Sequence, residues 1–411
     1  MKMNQSQINI PTGWKQITLG DLFEFKNGIN SEKENFGHGI RFVNLMEILK
    51  YNSLVAENIP GRVNIDPKRI KDNLVEYGDV LFNRTSETPE EVGMTSVYLD
   101  QEPVVFGGFV IRAKSKGKEV KDLFKKYCFS SFQFRKEVIK NAQGVVRGNI
   151  GQGDLKVISF ILPPTEEQDR MVSVLETWDQ SIEKLTKKIE IKKQIKKNLK
   201  QKLLTGKQRL NGFEKEWQVS KLGNFITGVS ARNKKLEEKR VLSVTNKRGF
   251  VLPENQFARV IASTDLSNYK VIHKGDFAFN PSRINVGSIA RLDDYDAGIL
   301  SPMYVAFKVN KSISSDYLSQ WIFTSEANGK IRNCASGSVR ESVDFKSFCS
   351  IKIRLPEYEE QIKITEILMS ADKEIAVLEQ KVNLFKTQKK YLLNNLITGT
   401  IRTPETLSVK S

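Results

Sequence analysis

Apolar residues recur at alternating spacings of four and three in two long stretches of the chain, which predicts two long amphipathic helices. The first stretch covers residues 166–203, and the second runs from Ile364 to Leu396. Each pattern lasts for about five heptads, which is typical of a coiled coil. The positions expected to pack at the seams are Leu175, Ile182, Leu185 and Ile189 in the first helix and Leu368, Ile375, Leu378 and Val382 in the second.

Three lysines interrupt these seams, and a glycine follows each helix. Lys192 and Lys196 stand in the first seam and Lys389 in the second, while Gly206 and Gly399 come after the last apolar positions. Both glycines are expected to cap their helices in the left-handed conformation. Because the seams have the same phase and length, we expect the helices to pair with each other. The alternative is that each packs on its own globule.

Short β-rich runs broken by turn residues fill the sequence before each helix. Asp79–Phe82 and Val104–Phe106 are such runs in residues 13–162, and Ile351–Leu355 is one in residues 216–355. Helical patterns at Lys121–Lys140 and Ser315–Thr324 are mixed in. The predicted fold class is therefore α+β, with one β-rich globule before each long helix.

The chain repeats itself in order along its length. Gly78–Asn83 recurs as Gly275–Asn280, shifted by 197, and Gly144–Arg147 recurs as Gly337–Arg340, shifted by 193. The shift then holds at 193 to the end of the helices, which implies a rigid element after globules that tolerate loop insertions. The sequence therefore predicts a tandem duplication, divided into a tail at 1–12, globules at 13–162 and 216–355, helical segments at 163–206 and 356–399, a linker at 207–215 and a tail at 400–411.

Composition points to a basic protein with reduced thiols. The formal net charge is +17, which favours a polyanionic partner bound in a salt-dependent way, although a merely soluble basic surface also fits. Three cysteines and two histidines do not suit a disulfide framework or a zinc finger. With a polar start and no apolar run of membrane length, we expect a cytoplasmic protein without membrane contact.

No catalytic motif stands out. Glu190-Ile191-Lys192 has the form of a nuclease triplet but lies inside the heptad helix, and Gly148–Gly153 is glycine-rich without a preceding buried parallel strand. Phe279–Ser282 lacks the second proline and the aromatic residue of an adenine methyltransferase loop. We therefore expect no catalytic or metal site in this chain, and no cofactor bound by it.

Polar residues that suit base edges and phosphates recur at equivalent places in both globules. Singly, such residues are more often turn formers or solvated side chains, but their recurrence favours a nucleic-acid role. The candidate contacts are Arg84, Thr85, Ser86, Arg147 and Asn149 in the first globule and Asn280, Ser282, Arg283, Ser338 and Arg340 in the second.

A run of basic residues lies at the C-terminal end of the first helix and continues past it. No acidic residue interrupts the run, so it is strongly cationic. It is interpreted either as a solvated helix end or as a phosphate-contacting surface. Its members are Lys192, Lys193, Lys196, Lys197, Lys200, Lys202, Lys207 and Arg209.

The whole arrangement resembles a type I restriction–modification specificity subunit. The residues that carry the resemblance are Leu162–Pro164 with Glu167-Gln168, Leu203–Gly206, Leu355-Pro356 with Glu360-Gln361, Leu396–Gly399, Gly78–Arg84 and Gly337–Arg340. Two departures are Pro281, which stands where the first globule has Arg84, and the missing second proline after Leu355-Pro356.

The resemblance implies a non-catalytic DNA-binding subunit that serves defence against foreign DNA. Each globule would be a target-recognition domain that reads one half of a split double-stranded site, and the helices would form an antiparallel coiled-coil spacer with pseudo-twofold symmetry. Two adenine methyltransferase subunits using S-adenosylmethionine would dock on this spacer. A motor–nuclease subunit using ATP and magnesium is a further partner that the resemblance allows. Half-sites on one face of DNA lie roughly 34–36 Å apart, so a rigid spacer would set the gap.

Two other functions fit the residues alone. One is a stand-alone nuclease or methyltransferase, and the other is a tether whose coiled coil bridges proteins without reading DNA sequence.

Overall fold

The computed structural model describes residues 10–144, 148–246, 248–252, 265–334 and 342–407. The chain divides into two compact units. The first unit is made of two segments, one up to Thr186 and one from Gln380 onward. The second unit is the single segment Lys187–Glu379 between them in sequence. Each unit therefore contains one globule and one half of each long helix.

The first unit is built on a five-stranded sheet in which the fully buried strand β6 is central. Its strand order is β2-β10-β6-β8-β4, and β5-β3-β9, β1-β12 and β7-β11 form smaller sheets. The strands are β1 Lys15–Thr18, β2 Phe23–Asn27, β3 Phe36–Val43, β4 Ser53–Leu54, β5 Arg62–Val63, β6 Val80–Asn83, β7 Thr85–Ser86, β8 Thr95–Tyr98, β9 Val104–Phe106, β10 Val110–Ser115, β11 Gly148–Asn149 and β12 Ser159–Leu162. The helices are α1 Leu19–Leu22, α2 Leu45–Lys50, α3 Pro67–Asp72, α4 Asp122–Cys128, α5 Phe132–Asn141, α6 Gln152–Lys156 and the start of α7 Thr165–Leu204.

The second unit has a four-stranded sheet of order β14-β21-β18-β19, with the pairs β13-β22, β15-β16 and β17-β20 beside it. Its strands are β13 Gln218–Lys221, β14 Ile226–Gly228, β15 Ser243–Thr245, β16 Gly249–Val251, β17 Lys270–His273, β18 Phe277–Phe279, β19 Ile289–Arg291, β20 Ala297–Leu300, β21 Val305–Val309 and β22 Lys352–Leu355. Its helices are α8 Ser315–Trp321, α9 Ser325–Asn333, α10 Phe345–Ser350 and the start of α11 Tyr358–Ile397.

The two globules share one plan, which confirms the predicted duplication. The order β2-β10-β6-β8 in the first unit matches β14-β21-β18-β19 in the second. The first and last strands of each globule pair antiparallel, with Lys15 opposite Leu162 and Gln218 opposite Leu355. The first unit adds β4 and the β5-β3-β9 sheet, which agrees with the drifting sequence offsets in the globules.

The long helices pair antiparallel within each unit. In the first unit the rings of Trp178 and Phe385 lie 5.2 Å apart between centroids. In the second unit Lys192 contacts Glu374 at 2.7 Å and Lys196 contacts Asp372. Residue numbers in α11 therefore decrease along the contact as those in α7 increase, which means that the helices are antiparallel. The helices also pack on the globules, since Met171 joins the hydrophobic core of the first unit and Ile364 that of the second. The expected pairing is therefore correct.

Most of the expected seam positions are shielded from solvent. Leu175, Ile189, Leu368, Ile375 and Val382 are buried. Ile182, Leu185 and Leu378 are half-buried.

The seam lysines are neutralised by a repeated ion pair. Lys389 contacts Asp179 in the first unit, and Lys196, its equivalent 193 residues earlier, contacts Asp372 in the second. Burial alone would raise the pKa of Asp179, but hydrogen bonds from Lys389 and Tyr127 outweigh it and hold the pKa below its usual value. A half-buried carboxylate thus keeps its charge and the lysine stays in the seam.

Both helices end as the sequence predicts. Gly206 and Gly399 have φ of +70° and +71°, the left-handed conformation in which glycine carries no steric penalty. A Cβ on Gly206 would lie 3.4 Å from the Trp217 ring, and one on Gly399 would lie 2.3 Å from Cγ of Pro11. Conformation therefore favours glycine at both positions, and close packing adds a steric reason at Gly399.

The described ranges lack two kinds of feature. No helix there is long and apolar enough to cross a membrane. No group of three or more His, Cys, Asp or Glu side chains could hold a metal ion in the same part of the chain.

Candidate nucleic-acid interface

The two candidate segments of the first unit meet in a small ribbon. Strands β7 and β11 pair antiparallel, with Thr85 opposite Asn149 and Ser86 opposite Gly148. Two backbone hydrogen bonds of 2.8 Å between Gln143 and Asn149 close the loop that precedes the ribbon. Segments more than sixty residues apart in sequence are thereby held side by side.

Asn83 shapes the turn that leads into this ribbon. Its side chain accepts a hydrogen bond of 3.1 Å from the Thr85 N–H and donates one of 2.9 Å to the Glu91 carbonyl. The side chain is fully buried. Asn83 therefore supports the turn, while the exposed groups beside it are those of Arg84 and Asn149.

The second unit carries the same turn after β18. The Asn280 side chain accepts a hydrogen bond of 3.1 Å from the Ser282 N–H. Arg283 is exposed and, with Thr245, Asn246 and neighbouring residues, lines a pocket of about 170 Å³. A short helical turn follows and ends at Gly287, whose φ is +93°.

Pro281 keeps the backbone role of Arg84 without its charge. The Arg84 carbonyl accepts the Ile150 N–H at 2.9 Å, and the Pro281 carbonyl accepts the Val343 N–H at 3.1 Å. The departure noted in the sequence thus leaves the turn intact. The second unit presents its arginine two residues later, at Arg283.

The other predicted contact residues divide into three groups. Ser282 is exposed, and Thr85 and Asn280 are half-buried. The buried Ser86 donates a hydrogen bond of 3.0 Å to Glu91, so its hydroxyl is engaged inside the loop. Arg147, Ser338 and Arg340 lie outside the described residues.

A buried glutamate holds together the end of each globule. In the second unit the Arg209 guanidinium makes two hydrogen bonds of 2.8 Å to Glu360, which also accepts one of 3.1 Å from the Trp217 indole. The Arg209 guanidinium also lies 5.7 Å from the Trp217 ring. A bidentate arginine and an indole N–H are the partners that a fully buried carboxylate requires.

The first unit has the equivalent cluster, which uses the C-terminal tail. Arg402 donates to Glu167 at 2.6 and 2.7 Å, and Trp14 donates to it at 2.9 Å. The neighbouring glutamines also match. The Gln168 side chain donates to the Pro163 carbonyl and accepts from the Lys121 N–H. The Gln361 side chain likewise donates to the Pro356 carbonyl and accepts from the Ser314 N–H. The Glu-Gln pairs found in the sequence are thus structural anchors.

The comparisons with known proteins agree with this duplicated architecture. The sequence model described as "Type I restriction modification DNA specificity domain" matches residues 11–193 and again residues 214–386. The chain belongs to this family. The predicted resemblance to type I specificity subunits is confirmed.

Individual relatives match over almost their whole length. The chain is 25% identical to the putative type I restriction enzyme MjaX specificity subunit of Methanocaldococcus jannaschii, over 96% of this chain and 95% of the relative. The crystal structure of a type I restriction–modification S subunit from M. genitalium matches with a TM-score of 0.51 and 16% identity, over 96% and 98% of the chains. A structure on complex assembly of the type I R-M system matches with a TM-score of 0.58 and 13% identity, over 95% and 99%. At these identities the solved structures show the shared fold.

One half of the basic run in this specificity chain is not a free cationic surface. Lys192, Lys193 and Lys196 pair with Glu374, Glu379 and Asp372 of α11. Arg209 belongs to the buried cluster with Glu360, and that contact raises its pKa through the hydrogen bond and the nearby charge. These four residues are therefore engaged in contacts within the chain, whereas Lys197, Lys202 and Lys207 remain exposed, and phosphate contact by the run stays a prediction.

The repeated pairs Gly78-Asp79 and Gly275-Asp276, which belong to the family resemblance, also have a structural role. The Asp79 carboxylate accepts the Glu76 N–H at 3.0 Å, and Asp276 accepts the His273 N–H at 2.8 Å. Burial raises the pKa of both carboxyls. Both pairs fix the turn that precedes the central strand, at the opposite end from Asn83 or Asn280.

Proposed function

We propose that this chain reads a bipartite double-stranded DNA target, with one half-site for each unit. The observation that carries the proposal is the repeated turn at Asn83 and Asn280, which presents exposed polar and cationic groups at the end of the central strand in both globules. Arginine in such a position suits guanine or phosphate. The net charge of +17 supports a polyanionic partner.

The proposal includes partner subunits that carry the chemistry. Family membership supports a non-catalytic role, and the solved relative whose title concerns assembly of the type I R-M system supports docking within a complex. Two units of one plan suit two copies of one partner, which we propose to be adenine methyltransferase subunits. S-adenosylmethionine would be bound by those partners, and ATP with magnesium by a motor–nuclease subunit, not by this chain.

Methylation mapping of cells that carry the intact complex tests the proposal. We expect one methylated sequence with two defined parts separated by an unspecified gap. Arg84→Ala should weaken or relax one part and Arg283→Ala the other, each by roughly ten- to hundredfold, as expected for one lost base contact. Lys156→Ala, at an exposed lysine of the first unit on α6, is the control and should leave both parts unchanged.

Other results would favour the other functions. Methylation or cleavage of DNA by the pure chain with only a methyl donor or metal would identify a stand-alone enzyme. Equal affinity of the assembled complex for all DNA sequences would identify a tether.

The helices are expected to set the gap. Inserting four residues after Ile189 and four after the equivalent Val382 adds about one turn, roughly 6 Å, to each helix. Because DNA rises about 3.4 Å per base pair, the same half-sites should then be separated by one or two more pairs. Methylation mapping measures the gap, and four residues inserted after the exposed Gly212 of the linker serve as control. An active variant with the original gap would contradict the spacer role.

A further inference from the structure

An apolar pocket of about 420 Å³ lies directly beside the ribbon of the first unit. Met46 and Phe109 form part of its lining although 68% and 59% of these residues are exposed to solvent. Large apolar side chains that stand exposed at a concave site commonly mark a binding surface. The pocket is lined by Leu45, Met46, Leu49, Thr85, Ser86, Glu87, Glu91 and Phe109.

Local structure constrains the backbone at both exposed residues. Asn44 caps helix α2: its side chain accepts the Leu45 N–H at 2.9 Å while Glu47 accepts the Asn44 N–H at 2.8 Å, so Met46 stands in a capped first turn. Phe109 follows Gly108, where a Cβ would lie 2.0 Å from the Asn30 side chain. The turn is therefore tightly constrained.

The pocket is continuous with the proposed DNA-reading turn. The Phe109 carbonyl accepts the Arg84 N–H at 2.9 Å, which ties the aromatic turn to the ribbon. Thr85 belongs to both the ribbon and the pocket. Its Oγ1 is buried, so the part of this side chain that the pocket can expose is carbon.

We propose that this pocket reads the 5-methyl group of a thymine in the half-site of the first unit. In the major groove, thymine is the base that presents a methyl group, and apolar side chains including Phe and the Thr methyl recognise it. The acidic rim formed by Glu87 and Glu91 disfavours a phosphate at this position, whereas a carboxylate can accept a hydrogen bond from a base amino group. Met46 and Phe109 are thus specificity-determining residues of the first unit.

The test uses the assembled complex with its methyltransferase partners and the target found by mapping. Each thymine of the first-unit half-site, on either strand, is replaced singly by deoxyuridine, which lacks the 5-methyl group, and binding is measured. We expect one position to lose about fourfold in affinity, the effect of one buried carbon group. In Phe109→Ala and Met46→Ala, binding of the thymine target should weaken and the difference between thymine and deoxyuridine at that position should disappear.

Two variants serve as controls. Phe109→Leu keeps an apolar wall and should retain the methyl dependence. Val157→Ala removes an exposed apolar side chain elsewhere in the first unit and should also retain it.

Several outcomes would overturn the inference. These are a first-unit half-site in which no thymine depends on its methyl group, alanine variants that keep the full dependence, and alanine variants that fail to assemble with the methyltransferase, which would make the pocket a protein interface. The inference rests on the proposed function. A wild-type complex without any sequence preference would refute that function, whereas sequence reading that ignores the methyl group would refute the pocket alone.

Discussion

Exchanging residues 13–162 for the corresponding globule of a relative should change one half of the methylated sequence completely and leave the other half and the gap unchanged. The physical reason is the pairing of the first and last strands, which places Lys15 opposite Leu162. The globule therefore enters and leaves the rest of the chain at one point, and the exchange does not alter the helices. Methylation mapping of cells that carry the exchanged complex measures both halves and the gap.

The second globule provides the matched experiment. Its end strands pair in the same way, with Gln218 opposite Leu355, so exchanging residues 216–355 should change only the other half of the target. If either exchange altered both halves together, the assignment of one half-site to each unit would be wrong.

Glu360→Ala should destabilise the protein. The substitution leaves the Arg209 guanidinium and the Trp217 indole without the buried carboxylate that both contact. The buried Trp217 indole is left without an acceptor, whereas the Arg209 side chain is 28% exposed and can still be solvated, so the expected cost is about 1–3 kcal/mol in the free energy of unfolding. Denaturant unfolding of the full chain measures the loss, and Glu167→Ala should produce a similar one in the first unit.

A neighbouring glutamate is the control for this prediction. Glu357 contacts the exposed Lys215 at 2.6 Å, a surface pair whose loss should leave stability almost unchanged. Equal losses for Glu357→Ala and Glu360→Ala would show that the buried cluster has no special role.

The long helices could be predicted from sequence because their information is local and periodic. The heptad positions predicted a helix over 166–203, and α7 extends one residue further at each end. The predicted helical region Lys121–Lys140 instead divides into α4 and α5, because the Ser131 side chain caps a new helix by accepting the Phe134 N–H.

Contacts between distant residues were the part that sequence could not supply. Arg209 stands in a basic run, and its partner Glu360 lies 151 residues away, so the sequence alone left both a solvated helix end and a phosphate surface open. A signal was nevertheless present, since Arg209 recurs as Arg402 at the same offset of 193 as the Glu-Gln pairs.

The sequence indicates which segments form the candidate site but not how they are arranged in space. Recurrence pointed to the segments around Arg84 and Arg283, yet the pairing of Thr85 with Asn149 depends on the fold of the whole globule. The pocket formed by Met46 and Phe109 had no sequence signal, because isolated apolar residues in loops have no period.

The cluster of Trp14, Glu167 and Arg402 joins the residues that precede the first globule to the residues that follow the second long helix. The C-terminal tail makes in the first unit the contacts that the linker residue Arg209 makes in the second, and the Arg402 guanidinium also lies 3.5 Å from the Thr12 carbonyl. Thr12 and Arg402 are thus neighbours, and Arg402 occupies in the first unit the place that Arg209 of the linker occupies in the second. A chain permuted to begin in the 207–215 linker, with Thr12 and Arg402 joined by a short peptide, should therefore retain both units, so the fold does not depend on which globule is encoded first.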